Sequence, residues 1–196
     1  MLASINPLGE RARDRRWGVT VAAYLLGSTA AGTLAGAVLG TLGHALALGP
    51  GATALGVVTL SALALAVDVG LGGLRVPTVH RQVDKDWLGR YRGWVVGAGF
   101  GAQLGLGVVT IVNTAAVYLM LALALLTGST AAGATVGATF GLVRALIILV
   151  VARVRRPDQL RLALRRVNAW RPFSERIGIA VQALVLVAAG AVAIAH

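Results

Sequence analysis

Apolar residues run along this chain in long uncharged blocks separated by short basic segments. The first block starts at Trp17, behind Arg15 and Arg16, and predicts a helix over about 17–42. An uncharged turn, HALALGPGA, leads into a second block at about 52–71. A charged segment ending at Arg92 follows, flanked by Trp87, Tyr91 and Trp94, aromatics suited to a membrane interface. No charged residue then occurs from Trp94 to Val143. As one helix that stretch would be roughly 75 Å long, more than twice a hydrocarbon core of about 30 Å, so the chain must turn. LTGST at 126–130 is the best turn, giving spans of about 94–126 and 129–152. A basic loop precedes a last span of about 177–195. The expectation is an all-α, polytopic helical bundle in one transmembrane domain over 1–196, with about five membrane helices.

Within the last basic loop, Leu160, Ala163, Leu164, Val167 and Trp170 recur at helical spacing opposite Arg161, Arg165 and Arg166. Asp158 reads as an N-cap and Pro172 as a stop. This predicts an amphipathic helix at about 159–170 lying on the cytoplasmic leaflet, its arginines toward anionic headgroups.

Composition agrees with the pattern. The chain is 57% hydrophobic and 13% charged, with mean hydropathy +0.80, more apolar than a soluble domain of its size requires. The net charge of +11 lies in the loops, which points to topology rather than nucleic acid. Three basic groups, at 11–16, 75–92 and 153–176, hold seventeen of the eighteen Lys and Arg residues. With five spans these groups share one side, so the positive-inside asymmetry predicts a cell-membrane protein with a cytoplasmic N-terminus and an external C-terminus. The N-terminal stretch lacks an apolar core before a small-residue cleavage site, so the first span is expected to act as an uncleaved anchor. There is no cysteine, which removes thiolate metal sites and dithiol chemistry from this chain.

The glycines fall at intervals of four. Gly93, Gly97, Gly101 and Gly105 form one stripe, Ser28, Gly32, Gly36 and Gly40 a second, and Ser129, Gly133, Gly137 and Gly141 a third. Such stripes let helix backbones approach closely. A phosphate loop fits poorly, since no strand–turn–helix context or Walker lysine accompanies them. The hexapeptide GSTAAG occurs at 27–32 and at 128–133, and the match continues through Gly36/Gly137 and Gly40/Gly141. Those two spans run in opposite directions, as in inverted-repeat transporters. Two packing helices rich in Ala and Gly could also converge on the same small residues.

Polar residues inside the spans are the site candidates. Gln103, Thr110, Asn113 and Thr114 lie in the third span, which at about 33 residues is long for one crossing and is expected to tilt, kink or re-enter. They line a pathway or bond across helices. Asp68 and Arg144 are ionisable residues in apolar segments, and mutual pairing is the natural expectation for two such charges. The pair is either a static register lock or a switch in which Asp68 takes up a proton or cation and releases Arg144. His44, His80 and His196 are far apart, and Asp84 and Asp86 sit among basic residues. No nucleophile–base pair or metal spacing is visible, so neither an enzyme nor a cofactor is expected.

The run INPLGERARDRRWGVTVAAYLLGSTAAGTLAGAVLGTLG resembles the first repeat of the cytochrome c biogenesis/thiol-disulfide interchange transmembrane family, near the lysine-exporter superfamily. GAGFGAQLGLGVVTIVNTAAVY resembles that family's second repeat, at the place of its Thr-Pro-Cys motif. The resemblance covers about two-thirds of the chain and rests on hydropathy and glycine placement. Asn6-Pro7 and Thr110-Ile111-Val112 carry no cysteine, so the family's electron relay is not carried over. On this alignment the chain begins one helix late, implying a reduced member or a start further upstream. Two functions fit: a small exporter or transporter, working alone or as a homodimer, and a non-transporting subunit that scaffolds a membrane partner.

Overall fold

The computed structural model describes residues 5–73, 90–107 and 114–195, and every regular element among them is helical. A short helix, α1 (Pro7–Ala12), precedes the long α2 (Trp17–Ala45) and α3 (Pro50–Val69). The segment predicted as one third span is two half-length helices, α4 (Gly93–Gly105) and α5 (Ala116–Leu126). Next come α6 (Thr130–Leu146), extended by a 3₁₀ stretch to Val151, then α7 (Pro157–Ala169) and α8 (Arg171–Ala195). Four helical stretches are long and apolar enough to cross a membrane, and α5 is a shorter apolar helix. The molecule is an integral membrane protein.

The glycine stripes decide the packing. Around α2, the stripe of α6 meets the stripe of α2 antiparallel: Gly32 faces Gly137, Gly36 faces Gly133 and Gly40 faces Ser129. At each contact a Cβ would strike a backbone carbonyl of the other helix, so only glycine permits this separation. α4 packs on α2 in parallel, Gly97 against Thr20, Gly101 against Tyr24 and Gly105 against Ser28. Ser28 is fully buried where the three helices meet, and its hydroxyl donates to the Gly141 carbonyl at 2.7 Å. Such contacts supply the dispersion and hydrogen bonding that replace hydrophobic drive in lipid.

Because Gly105 lies against Ser28, α4 ends about halfway along α2. α5 covers the remaining half, reaching Gly43 at Leu125. Gly107 makes the break possible: its φ of +79° lies in the left-handed region that ends helices cheaply only for glycine. A long uncharged span is thus interrupted midway, at a buried glycine on one side and the buried Ala115 on the other.

Two boundaries differ from expectation. Asp158 is not the cap of α7; Arg156 is, and the Gln159 side-chain oxygen accepts from the Arg155 and Arg156 N–H groups at 2.8 and 3.3 Å. Pro157 takes the first helical position, where its missing N–H costs nothing, and this moves the cap one residue upstream of the proline. Pro172 does not close a helix but sits in the first turn of α8, for the same reason, so the helix that carries the last apolar run begins at Arg171, upstream of Ile177. α7 is amphipathic as expected, with Leu160 and Ala163 packed on the main core and Arg161, Arg165 and Arg166 exposed.

Candidate functional site

The break between α4 and α5 frees backbone groups, and the intramembrane charges collect around it. Asp68, in the last turn of α3, accepts from the Ala115 N–H at 2.6 Å through Oδ1. Its Oδ2 accepts from Gln182 Nε2 of α8 at 2.7 Å. A carboxylate at the C-terminal end of its own helix is poorly placed, but the N-terminus of α5 presents a compensating positive dipole. Asp68 therefore caps α5 and ties three helices together. The Oε1 of Gln182 and the hydroxyl of Ser61, two turns before Asp68, are buried without a hydrogen-bond partner.

Arg144 lies on the other side of the break. Its Nη1 donates to the Leu104 carbonyl at 3.2 Å, in the last turn of α4, and the guanidinium stands 5.1 Å from the centre of the Phe140 ring. Arg144 also lines a cavity of about 340 Å³ with Ile5, Tyr24, Leu104, Val143, Ile147 and Ile148.

The expected Asp68–Arg144 pair does not form. Among the described residues the ion pairs are Glu10–Arg13 and Arg171–Glu175. The physical reason is the break: the freed Ala115 N–H and the Gln182 amide fill both Asp68 oxygens, and the Leu104 carbonyl, which closes the last turn of α4 by accepting from the Gly107 N–H at 3.2 Å, also takes Arg144. Gln103 and Thr114 are half-buried and flank the break; Thr110 and Asn113 lie outside the described residues. At Gly32, Gly36, Gly40, Gly97, Gly101, Gly105, Gly133, Gly137 and Gly141 an added Cβ would strike the backbone of a neighbouring helix or its cap. His44 Nδ1 donates to the Gly128 carbonyl at 3.2 Å, a link between loop ends. His80, Asp84, Asp86 and His196 lie outside the described residues. Among the described residues no group of three His, Asp or Glu side chains could hold a metal.

A second polar cluster was not anticipated. Asn6 starts α1 by accepting from the Gly9 N–H at 2.9 Å, and α1 tucks under α2 and α4. Glu10 is fully buried there, accepting from the Thr20 hydroxyl at 2.6 Å and from Arg13 at 3.3 Å. Arg15 donates to the Tyr91 carbonyl at 2.7 Å, tying the start of α2 to the segment before α4. The signal was Asn6-Pro7, an N-cap residue followed by proline at the first helical position. Ile5, at the head of this segment, reaches the Arg144 cavity.

A family model described as the cytochrome C biogenesis protein transmembrane region matches residues 2–171. Three curated relatives are each called methylamine utilization protein MauF. The protein from Paracoccus versutus is 35% identical over 76% of this chain and 56% of its own length. That from Paracoccus denitrificans is 34% identical over 89% of this chain and 61% of its own. The Methylophilus methylotrophus protein is 28% identical over 91% of this chain and 61% of its own. The chain thus spans somewhat over half the length of these relatives. No solved structure matches it.

Proposed function

The chain belongs to the cytochrome c biogenesis transmembrane family, and on that premise we propose that it is a small transporter moving an ion or small molecule across the cell membrane. The observation that carries this reading is the third span broken midway along α2, with Arg144 and a cavity beside the break. Broken helices inside a bundle mark substrate sites in secondary transporters, whose freed backbone groups and half-helix ends meet the solute. The chain holds no cysteine, so a thiol relay of its own is not part of the proposal. The reciprocal Gly32–Gly137 and Gly36–Gly133 contacts suit two helices related by an inverted repeat. In this reading the N-terminus is cytoplasmic, the C-terminus is external, and Arg161, Arg165 and Arg166 of α7 rest on anionic headgroups rather than nucleic acid. The relatives' name supports methylamine utilization as one setting in which to look for the solute.

Flux by the purified protein in proteoliposomes, against a panel of inorganic ions, methylammonium and small organic acids, tests the reading. A saturable flux supports it; liposomes as tight as protein-free ones refute it. A second reading, a scaffold for a membrane partner or a second copy, draws on one observation. An apolar groove of about 1490 Å³ opens between α3, the end of α5 and α8, lined by Leu48, Val57, Leu126 and Val185 among others. Transport by the lone protein would exclude a purely scaffolding role.

A further inference from the structure

The cavity beside Arg144 has a chemical character that the transport reading leaves open. Its walls are aliphatic, from Ile5, Leu104, Val143, Ile147 and Ile148, with Tyr24 completing the lining. Its charge comes from one guanidinium. Arginine carries five N–H donors in a planar fork matched to a carboxylate, and Nη1 of Arg144 is directed to the Leu104 carbonyl. Among the described residues no Asp or Glu lies within ion-pair distance of Arg144. A cation in a membrane interior costs about 2.5–3.5 kcal/mol on the insertion scale and is ordinarily met by an anion. Here the Leu104 carbonyl and the Phe140 ring meet the guanidinium, and no carboxylate among the described residues does. At about 340 Å³ the cavity lies at the small end of ligand sites, which run from about 300 to 1,000 Å³.

We propose that this cavity binds an aliphatic monocarboxylate, its carboxylate on Arg144 and its chain against Ile5, Leu104, Ile147 and Ile148. The inference rests on reading the chain as a transporter only for its purpose, since binding can be measured without flux. Monovalency follows from the single cation, and the aliphatic body from walls in which five of the seven lining residues are Ile, Leu or Val. Val143 and Ile147 are exposed on the outer face of the bundle, so the acid could arrive from water or from the bilayer.

Equilibrium binding to the purified, nanodisc-embedded protein tests this. Radiolabelled butyrate probes the aqueous source and radiolabelled palmitate the bilayer source; butylammonium has the same aliphatic body with the opposite charge. Saturable binding of either acid, with none of butylammonium, is the expected result. Arg144→Met should weaken it at least tenfold, and Arg144→Lys should weaken it less. Ile147→Trp fills the cavity from an exposed position without touching the guanidinium, and should abolish binding while leaving the unfolding midpoint unchanged. Absence of saturable binding of both acids to the wild type, equal binding of butylammonium, or unchanged binding in both Arg144→Met and Ile147→Trp would overturn the proposal. Acid binding without flux would instead leave the site standing and remove the transport reading. Flux of another solute without acid binding would do the reverse.

Discussion

Replacing Gly137 by alanine adds one methyl group where α6 crosses α2. That Cβ would stand 2.8 Å from the Gly32 carbonyl carbon and 3.1 Å from Gly36 Cα, closer still to the Gly32 oxygen. All three are backbone atoms, so no rotamer change relieves the overlap and the helices must separate. Forced overpacking of this kind costs about 1–3 kcal/mol. Separation also loosens the Ser28–Gly141 hydrogen bond, and intramembrane hydrogen bonds average about 0.6 kcal/mol. Alanine's better helix propensity offsets about 1 kcal/mol. The net expectation is a loss of about 0.5–2.5 kcal/mol, with Gly137→Leu or Gly36→Leu far worse. At Gly190 a Cβ meets nothing within 4 Å, so Gly190→Ala should be neutral or slightly stabilising and Gly190→Leu tolerated. Unfolding of the purified protein in mixed micelles, titrated with a denaturing detergent, reads both variants on one scale. Equal stability of Gly137→Ala and Gly190→Ala would refute the claim that backbone contact at the stripes holds the bundle together.

Asp68→Asn should keep both stability and activity, because Gln182 can turn its amide so that the unpartnered Oε1 accepts from the new Asn amide. Asp68→Ala should cost about 2–6 kcal/mol by stranding the Ala115 N–H and the Gln182 amide, each worth about 1–3 kcal/mol when unsatisfied; loss of flux in a fully stable Asp68→Asn would show instead that Asp68 carries a proton. Glu10→Ala should destabilise the protein by about 2–3 kcal/mol and Thr20→Val by less, since a buried acceptor loses charge-assisted bonds, and thermal unfolding will show whether that order holds. A reporter fused after His196 should be active only if it functions outside the cytoplasm, and one placed in 75–92 only if it functions inside; the opposite pattern would invert the topology.

The glycine stripes were legible in the sequence because spacing of four on a helix is a geometric fact, and their antiparallel meeting followed from the direction of the spans. The interruption of the third span was legible from its length, though Gly107 as the place where it starts was not. The Asp68–Arg144 pairing failed for a physical reason. Periodicity gives each residue a face and an approximate depth, but beside the Gln182 amide the partners that prevailed were a backbone N–H and a carbonyl at the helix ends flanking the break, which carry no side-chain signature. Glu10 was missed because the charged run from Glu10 to Arg16, just before an apolar span, read as a solvated flank. Only Asn6-Pro7 marked the short helix that buries it.

Flux by wild-type and Arg144→Met protein, measured side by side in proteoliposomes, tests the central claim most directly. The account predicts saturable flux of a small solute for the wild type and background leak for Arg144→Met at equal folded content. Wild-type liposomes no leakier than empty ones, for every solute offered, would contradict it.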